Sequence, residues 1–480
     1  MSAQPKGYEL KEFALLLGDG DISTKTDLSE LKFSGEDAFD LRDVCSNFNY
    51  YEAVESPVIR CEFLIYDTVD LISGINGNEY IRLVLTTDTA PDTEIEVVQK
   101  IFKVGEVTKS ERAVTYILYT TSPGAHLNEA NRVFKSFTDE PGSAVVNKVE
   151  KEYLNRKVKH KLWEEARGNF NFISPSWRAY DVISYVQDKI VGSVSGRPGY
   201  LYWETSRGTN FATMDMLCSE SNPSFTNPIV YTYEQANVGA APGGDLNAFK
   251  IETINYPDRA NTLERLRSGT FSNTVLGITM PALTSGFLPS SGTTSDGKKD
   301  SSPSGSINPP INMGAKEVWG MSKHLNKGFP FFKVNDDYFS PEKPARIKIR
   351  ALPSMKNAQN SANPDGNAGN MTFDTIQSSA YSTSRWQLLN AIKLDIKVPG
   401  NASLAAGDVV NVRIPSSQSK SGRIELDEMY SGKYLILGLK HTYTKSGITT
   451  SLNLAKDSIC LLYTSPSPRD QRGSRMPSSA

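Results

Sequence analysis

The feature that most constrains this chain is that its two ends carry the same β pattern, with a helical segment between them. Near the start, Gly77-Asn78-Glu79 opens a strand over Tyr80 to Leu85. A second follows at Phe102 to Val107 and, after a polar reversal, a third at Ala113 to Thr120. Near the end, Gly407-Asp408 opens Val409 to Ile414. Tyr434 to Leu439 follows and, after another reversal, Ile448 to Leu454. Ile81, Leu83 and Leu85 fall on one face with Arg82 on the other, and Val410, Val412 and Ile414 fall opposite Asn411 and Arg413. Period two means that one face packs and the other meets water or a partner. Two copies of a small β-barrel per chain let a trimer present six similar units. The pattern therefore points to a symmetric ring and not to an active site.

The rest of the chain divides around these ends. Residues 1–125 read as a first β-barrel, with short strands at Phe13 to Leu17 and Leu31 to Ser34. A hairpin, Ser46 to Val54 and Val58 to Tyr66, turns around Glu55-Ser56-Pro57, and Pro91-Asp92 marks a further turn. Residues 126–225 read as an inserted α/β module. Ser143 caps a helix over Ala144 to Leu154, with Val145, Val146, Val149 and Tyr153 on one stripe. Ser174-Pro175-Ser176-Trp177 starts a second helix, whose Ala179, Val182, Ile183, Val186 and Ile190 keep the 3.6 period. Gly199 to Glu204 is a strand, Ser206 to Thr209 a turn, and Ala212 to Leu217 a short helix. Residues 226–459 read as a second β-barrel with helices at Asn261 to Arg267, Val318 to Leu325 and Thr375 to Ala391, then a strand at Lys393 to Val398. Its polar tracts at 284–314 and 354–370 read as long mobile loops. The fold class is mainly β with an α/β insertion, α+β overall.

The last residues, 460–480, resemble a translated sequencing adapter: Cys460 to Asp470 and Ser474 to Ala480 match its two pieces in order. They are set aside as a scar that ends the native chain near Ile459. The net charge of -2 becomes -4 without them, so no basic excess is available to hold nucleic acid. No apolar run approaches the length of a membrane span, and Met1 to Lys6 lacks the apolar core of a signal peptide. Cys45, Cys61, Cys218 and Cys460 form neither a disulfide framework nor a zinc spacing.

No catalytic, cofactor or metal constellation emerges. His126, His160, His324 and His441 are single and far apart, and His441 reads as following a strand toward a partner or solvent. A glycosidase needs two carboxylates facing across a cleft. Glu164-Glu165 and Asp336-Asp337 are sequence neighbours, which point apart, and read as solvated faces. Lys148 to Lys151 and Arg156 to Lys161 are locally basic without interleaved aromatics, and read as solvated helix ends. Tyr200, Tyr202, Trp203 and Phe211 read as core, with Tyr200 and Tyr202 on the face opposite Leu201 and Trp203.

Three groups of motifs, in order, resemble those of the baseplate (tail) hub proteins of contractile-tailed bacteriophages. Tyr51-Glu52-Ala53-Val54-Glu55-Ser56-Pro57, Tyr66-Asp67, Gly77-Asn78-Glu79 and Phe102-Lys103-Val104 look like the opening barrel. Ser174 to Trp177, Tyr202 to Thr205 and Gly208 to Phe211 resemble the inserted module. Val398 to Asn401, Gly407-Asp408 and Tyr434 to Ile436 resemble the second barrel. The resemblance implies a non-enzymatic homotrimeric ring of quasi-sixfold symmetry. Such a ring joins the central spike, the tail tube and the tape-measure protein, and passes DNA through its lumen. It implies a place in the virion tail, assembled in the host cytoplasm. Two other readings stand beside it: a tail-associated cell-wall hydrolase using Glu164, Glu165 or Glu204, and a hub or spike component of a related contractile injection system.

Overall fold

The computed structural model describes residues 7–16, 38–155, 160–233, 248–257, 261–279, 311–340, 346–352, 375–416 and 426–460. The first part holds β1 (Tyr8–Leu16), β2 (Ala38–Asp40), β3 (Cys45–Ala53), β4 (Arg60–Asp67), β5 (Tyr80–Thr87), β6 (Ala90–Lys109) and β7 (Val114–Thr121). The middle holds α1 (Pro123–Ala130), β8 (Val133–Pro141), α2 (Gly142–Tyr153), β9 (His160–Trp163), β10 (Ala166–Arg167), β11 (Asn169–Trp177), α3 (Ala179–Gln187), β12 (Val191–Gly192), β13 (Tyr200–Thr205), β14 (Gly208–Thr213) and α4 (Met214–Leu217). The last part holds α5 (Pro223–Thr226), β15 (Ile229–Thr232), β16 (Thr253–Asn255), α6 (Thr262–Ser268), β17 (Ser272–Thr279), β18 (Ile311–Gly314), α7 (Ala315–Met321), β19 (Arg346–Leu352), α8 (Thr375–Leu389), β20 (Ile392–Pro399), β21 (Val409–Arg413), β22 (Gly432–Thr444) and β23 (Gly447–Lys456).

The fold is mainly β with an α/β insertion. All six strands of the repeated pattern form, with the predicted faces: Ile81, Leu83, Leu85, Val410, Val412 and Ile414 are all buried. The repeat extends to topology. In the first part the strands neighbour one another as β3-β4-β7-β6-β5-β1; in the last part they run β16-β20-β23-β22-β21-β15. The two series correspond strand for strand, although β1 lies antiparallel to β5 and β15 parallel to β21. The correspondence reaches single residues. The β6–β7 ladder skips Phe102 between Ile101 and Lys103, and the β22–β23 ladder skips Leu437 between Ile436 and Gly438. Ile101 N donates to the Glu79 carbonyl at 3.1 Å, and Ile436 N to that of Asp408 at 2.9 Å. Among the described residues the units do not close as two separate barrels. They run on through β22–β3 pairing as one 13-stranded sheet. One hydrophobic core spans both, from Phe13, Phe48 and Phe63 to Leu394, Ile436 and Leu454.

The inserted module has its own core, in which Val145, Val146 and Val149 of α2 meet Val182, Ile183 and Val186 of α3. Ser143 is not the cap of α2: Pro141 is, and Ser143 lies inside the helix, donating to Glu165 and accepting from Ala166 N at 3.0 Å. Ser174 to Trp177 is not a helix start either. It continues β11 opposite β8, Ser174 Oγ donates to the Val133 carbonyl at 2.6 Å, and α3 begins only at Ala179. Cross-strand pairing outcompeted the local Ser-Pro signal. The reversal between β5 and β6 falls at Asp88-Thr89, leaving Pro91 within β6. Ile311 to Gly314, expected as loop, pairs with β17 as β18. Leu31 to Ser34, Arg156 to Lys159 and residues 354–370 lie outside the described residues.

Candidate functional site

Buried polar contacts gather where the units and the module meet. The first seam is β3 on β22. Leu437, the skipped residue, divides β22 in two. Gly432 to Leu435 pair with β21, and Gly438 to Thr444 pair with β3 from Ala53 to Asn47. Val54 N donates to the Leu437 carbonyl at 2.8 Å, and Thr442 Oγ1 to Asn49 Oδ1 at 3.1 Å. The polar face over this seam holds an open groove of about 960 Å³, lined by Arg60, Glu62, Asp395, Lys397, Lys440 and Asn453 among others. Its mixed charge favours neither an anionic nor a cationic ligand.

The second seam docks the module. The β13–β14 hairpin drives its tip between β3 and the segment before β21. Glu52, 3% exposed, accepts from Tyr50 Oη at 2.5 Å, Ser206 N at 2.8 Å and Ala406 N at 2.9 Å. Burial pushes its carboxyl up, and these three donors oppose that. Arg207 pairs with Asp408 at 2.9 Å and donates to the Ser403 carbonyl. Burial also raises the Asp408 carboxyl, against the pull of Arg207. Trp203 is fully buried and its Nε1 donates to the Ala406 carbonyl at 2.9 Å. Thus Tyr200 and Tyr202 face the module core while Trp203 faces the seam, the split that the alternation predicts.

The third junction is ionic. Arg385 of α8 is completely buried, with Nε 3.3 Å from Asp215 of α4, Nη1 3.0 Å from Asp457 beyond β23, and Nη2 donating to the Lys323 carbonyl at 2.7 Å. Tyr381 Oη donates to Asp215 at 2.7 Å, and His324 Nδ1 lies 3.1 Å from Asp457. Burial alone would raise the Asp457 carboxyl, but Arg385 and His324 outweigh it and hold it at about 2. One cation between two carboxylates ties the module, α8 and the end of the last strand together.

The remaining sequence candidates are not brought together. His441 is not at a strand end: it lies inside β22, 1% exposed, against Tyr50 and hydrogen-bonded to Thr450 at 2.8 Å. Glu164 is not solvated. It is 1% exposed and accepts from Ser195 N at 2.7 Å and Thr213 Oγ1 at 2.6 Å, while Glu165 accepts from Ser143. Glu164 is a structural brace, because both of its oxygens are committed to neighbouring segments, whereas Glu165 is exposed, as the sequence led us to expect. Glu204 accepts from Ile59 N at 3.3 Å. Asp336 and Asp337 are exposed, the first pairing with Lys316. Cys45, Cys61 and Cys218 are buried free thiols. Among the described residues no three His, Cys, Asp or Glu side chains gather to hold a metal ion, and no helix is long and apolar enough to cross a membrane. Sequence reasoning missed Glu52, Asp215, Arg385 and Asp457. The one usable signal was Glu52, a carboxylate on the strand face that carries Phe48 and Tyr50.

Comparison with known proteins rests on structure. No family model matches the chain, and no curated relative matches it by sequence. The chain is similar in fold to the tail protein from Neisseria meningitidis MC58, at 11% identity and a TM-score of 0.52, with 94% of this chain and 98% of that one covered. A prophage MuSo2 43 kDa tail protein from Shewanella oneidensis aligns at 9% identity and a TM-score of 0.48, over 93% and 99% of the two chains. An E. coli type VI secretion component aligns at 9% and 0.37, over 86% and 73%. The chain thus shares the fold of the Neisseria tail protein.

Proposed function

We propose that this chain is a structural component of a contractile phage tail, its baseplate hub. Three copies form a ring of six similar β-units, which meets a threefold central spike on one side and a sixfold tail tube on the other. The tape-measure protein contacts the ring, and DNA passes through its lumen during ejection. The ring belongs to the virion tail and assembles in the host cytoplasm.

The observation that carries this reading is the internal repeat. The two units correspond in strand order, in the skipped residues Phe102 and Leu437, and in the Ile101–Glu79 and Ile436–Asp408 hydrogen bonds. A duplicated unit in a threefold assembly offers six near-equivalent faces, which is what a symmetry adaptor needs. The fold shared with a Neisseria tail protein supports the same reading. The three braced junctions suit a rigid part that transmits force. Light scattering across a dilution series tests it. A stable particle of three times the 52.8 kDa chain mass is expected, and a monomer at every concentration overturns the ring.

A further inference from the structure

We propose that the edge of β19 takes up an extended acidic segment of a partner protein as an added strand, one whose carboxylates alternate with apolar residues. The site lies outside the main sheet and does not depend on the ring. β18, β17 and β19 form a separate three-stranded sheet in that order, so among the described residues β19 has a neighbour on one side only. The backbone N–H and C=O groups along an unpaired edge are a template for another chain.

The two faces of this strand differ. β17 and β19 run parallel, with Thr274 beside Ile347, Val275 beside Lys348 and Leu276 beside Ile349. One face meets α8. Val275 packs there with Tyr381 and Leu388, Asn273 donates to Ser384, and Lys348 Nζ donates to Thr383 Oγ1 at 3.3 Å. Arg346 shares this face by alternation. Its Nη1 donates at 3.2 Å to the Ser268 carbonyl at the end of α6, whose last turn adds Arg267. Parallel pairing is normally found where both faces of a sheet are covered. Here the second face holds Ile347 at 61% exposed and Ile349 at 64%. The strand thus leaves its isoleucines in water and carries its cations on the helix side.

Charge selects the occupant. Arg346-Ile347-Lys348-Ile349-Arg350 places three cations and no acid in five residues, in a chain whose net charge is -2. β19 of a second copy would set cations beside cations, and like charges on adjacent strands are destabilising. A strand that alternates Glu or Asp with Val, Ile or Leu fits both faces in one register. Its carboxylates fall beside Arg346 and Lys348, and its apolar side chains beside Ile347 and Ile349. A slip of one residue reverses both matches, so the alternation also fixes the register. In strand addition of this kind the main-chain hydrogen bonds supply affinity and the alternate side chains supply specificity.

The probe is a fluorescent, end-blocked peptide alternating Glu with Val, of the same 7-residue length as β19. It is titrated into the full chain and followed by anisotropy, with a Lys/Val peptide as its counterpart. We expect saturable binding of the Glu peptide, weakened about tenfold or more as salt screens the charges, and new hydrogen-exchange protection of β19 amides. The Lys peptide should not bind. An Arg346→Glu/Lys348→Glu variant that keeps the parent circular dichroism spectrum should reverse the preference, taking the Lys peptide and losing the Glu peptide. Equal binding of the two peptides by the parent, binding of neither, or an unchanged preference in the variant overturns the proposal. So does protection of β19 in the free chain: at every dilution it would mean that the chain's own segments cover the edge, and rising with concentration it would mean that a second copy does. The peptide outcomes leave untouched the particle mass by which the ring is judged.

Discussion

At the residue scale, the decisive side chains are buried charges whose partners come from distant segments. Replacing Arg385 with Met leaves Asp215 and Asp457 facing each other in the interior, so the expected loss is about 3–5 kcal/mol in urea unfolding. A loss under about 1 kcal/mol would mean that the junction relaxes or takes up protons cheaply. His441 gives a pH prediction. Burial lowers its imidazole from 6.5 to about 4, so the folded protein keeps it neutral where the unfolded chain binds a proton. Its folded pKa lies below its unfolded one for a base, so stability falls as pH drops from about 6.5 to about 4, by up to about 3 kcal/mol. Unfolding midpoints across that window should flatten in His441→Gln. None of this was legible in the sequence beyond the anomaly of Glu52. Arg385 sits in an unremarkable helix, and nothing local marks Asp215 or Asp457 as its partners.

At the element scale, alternation and helical period located most strands and helices, because burial on one face imposes those periods whatever the neighbours are. The errors cluster where pairing overrode a local signal. Ser174-Pro175 reads as a helix start and is held as strand by β8; Pro91 reads as a turn and lies in β6. The glycine before β21 shows how far an element depends on its surroundings. Gly407 has φ of +90°, and a Cβ there would lie 2.6 Å from Trp203 Cζ2. Gly407→Ala therefore strains the backbone and displaces the tryptophan that anchors the module. We expect it to cost at least about 2 kcal/mol and to perturb tryptophan fluorescence. Unchanged emission and stability would show that the module can shift to accept the methyl group.

At the scale of the whole molecule, hydrogen exchange tests the proposed ring, because it separates contacts made within a chain from those made only on assembly. Amides of β3 that pair with β22 should be protected at any protein concentration. Those of β6 beyond Lys100 that face its open edge should gain protection only as the ring assembles. Equal protection of both in dilute monomer would show that the β6 edge is covered within the chain. The sequence by itself determined the mainly β class, the inserted module, the duplicated strands and their buried faces. These follow from periodicity and turn chemistry, which act over a few residues. Only the tertiary structure decided that the two units fuse into one sheet through β3 and β22, and that Glu52 and Arg385 brace the junctions. Strand partners and buried ion pairs are chosen by chain segments hundreds of residues apart, and no local pattern records that choice.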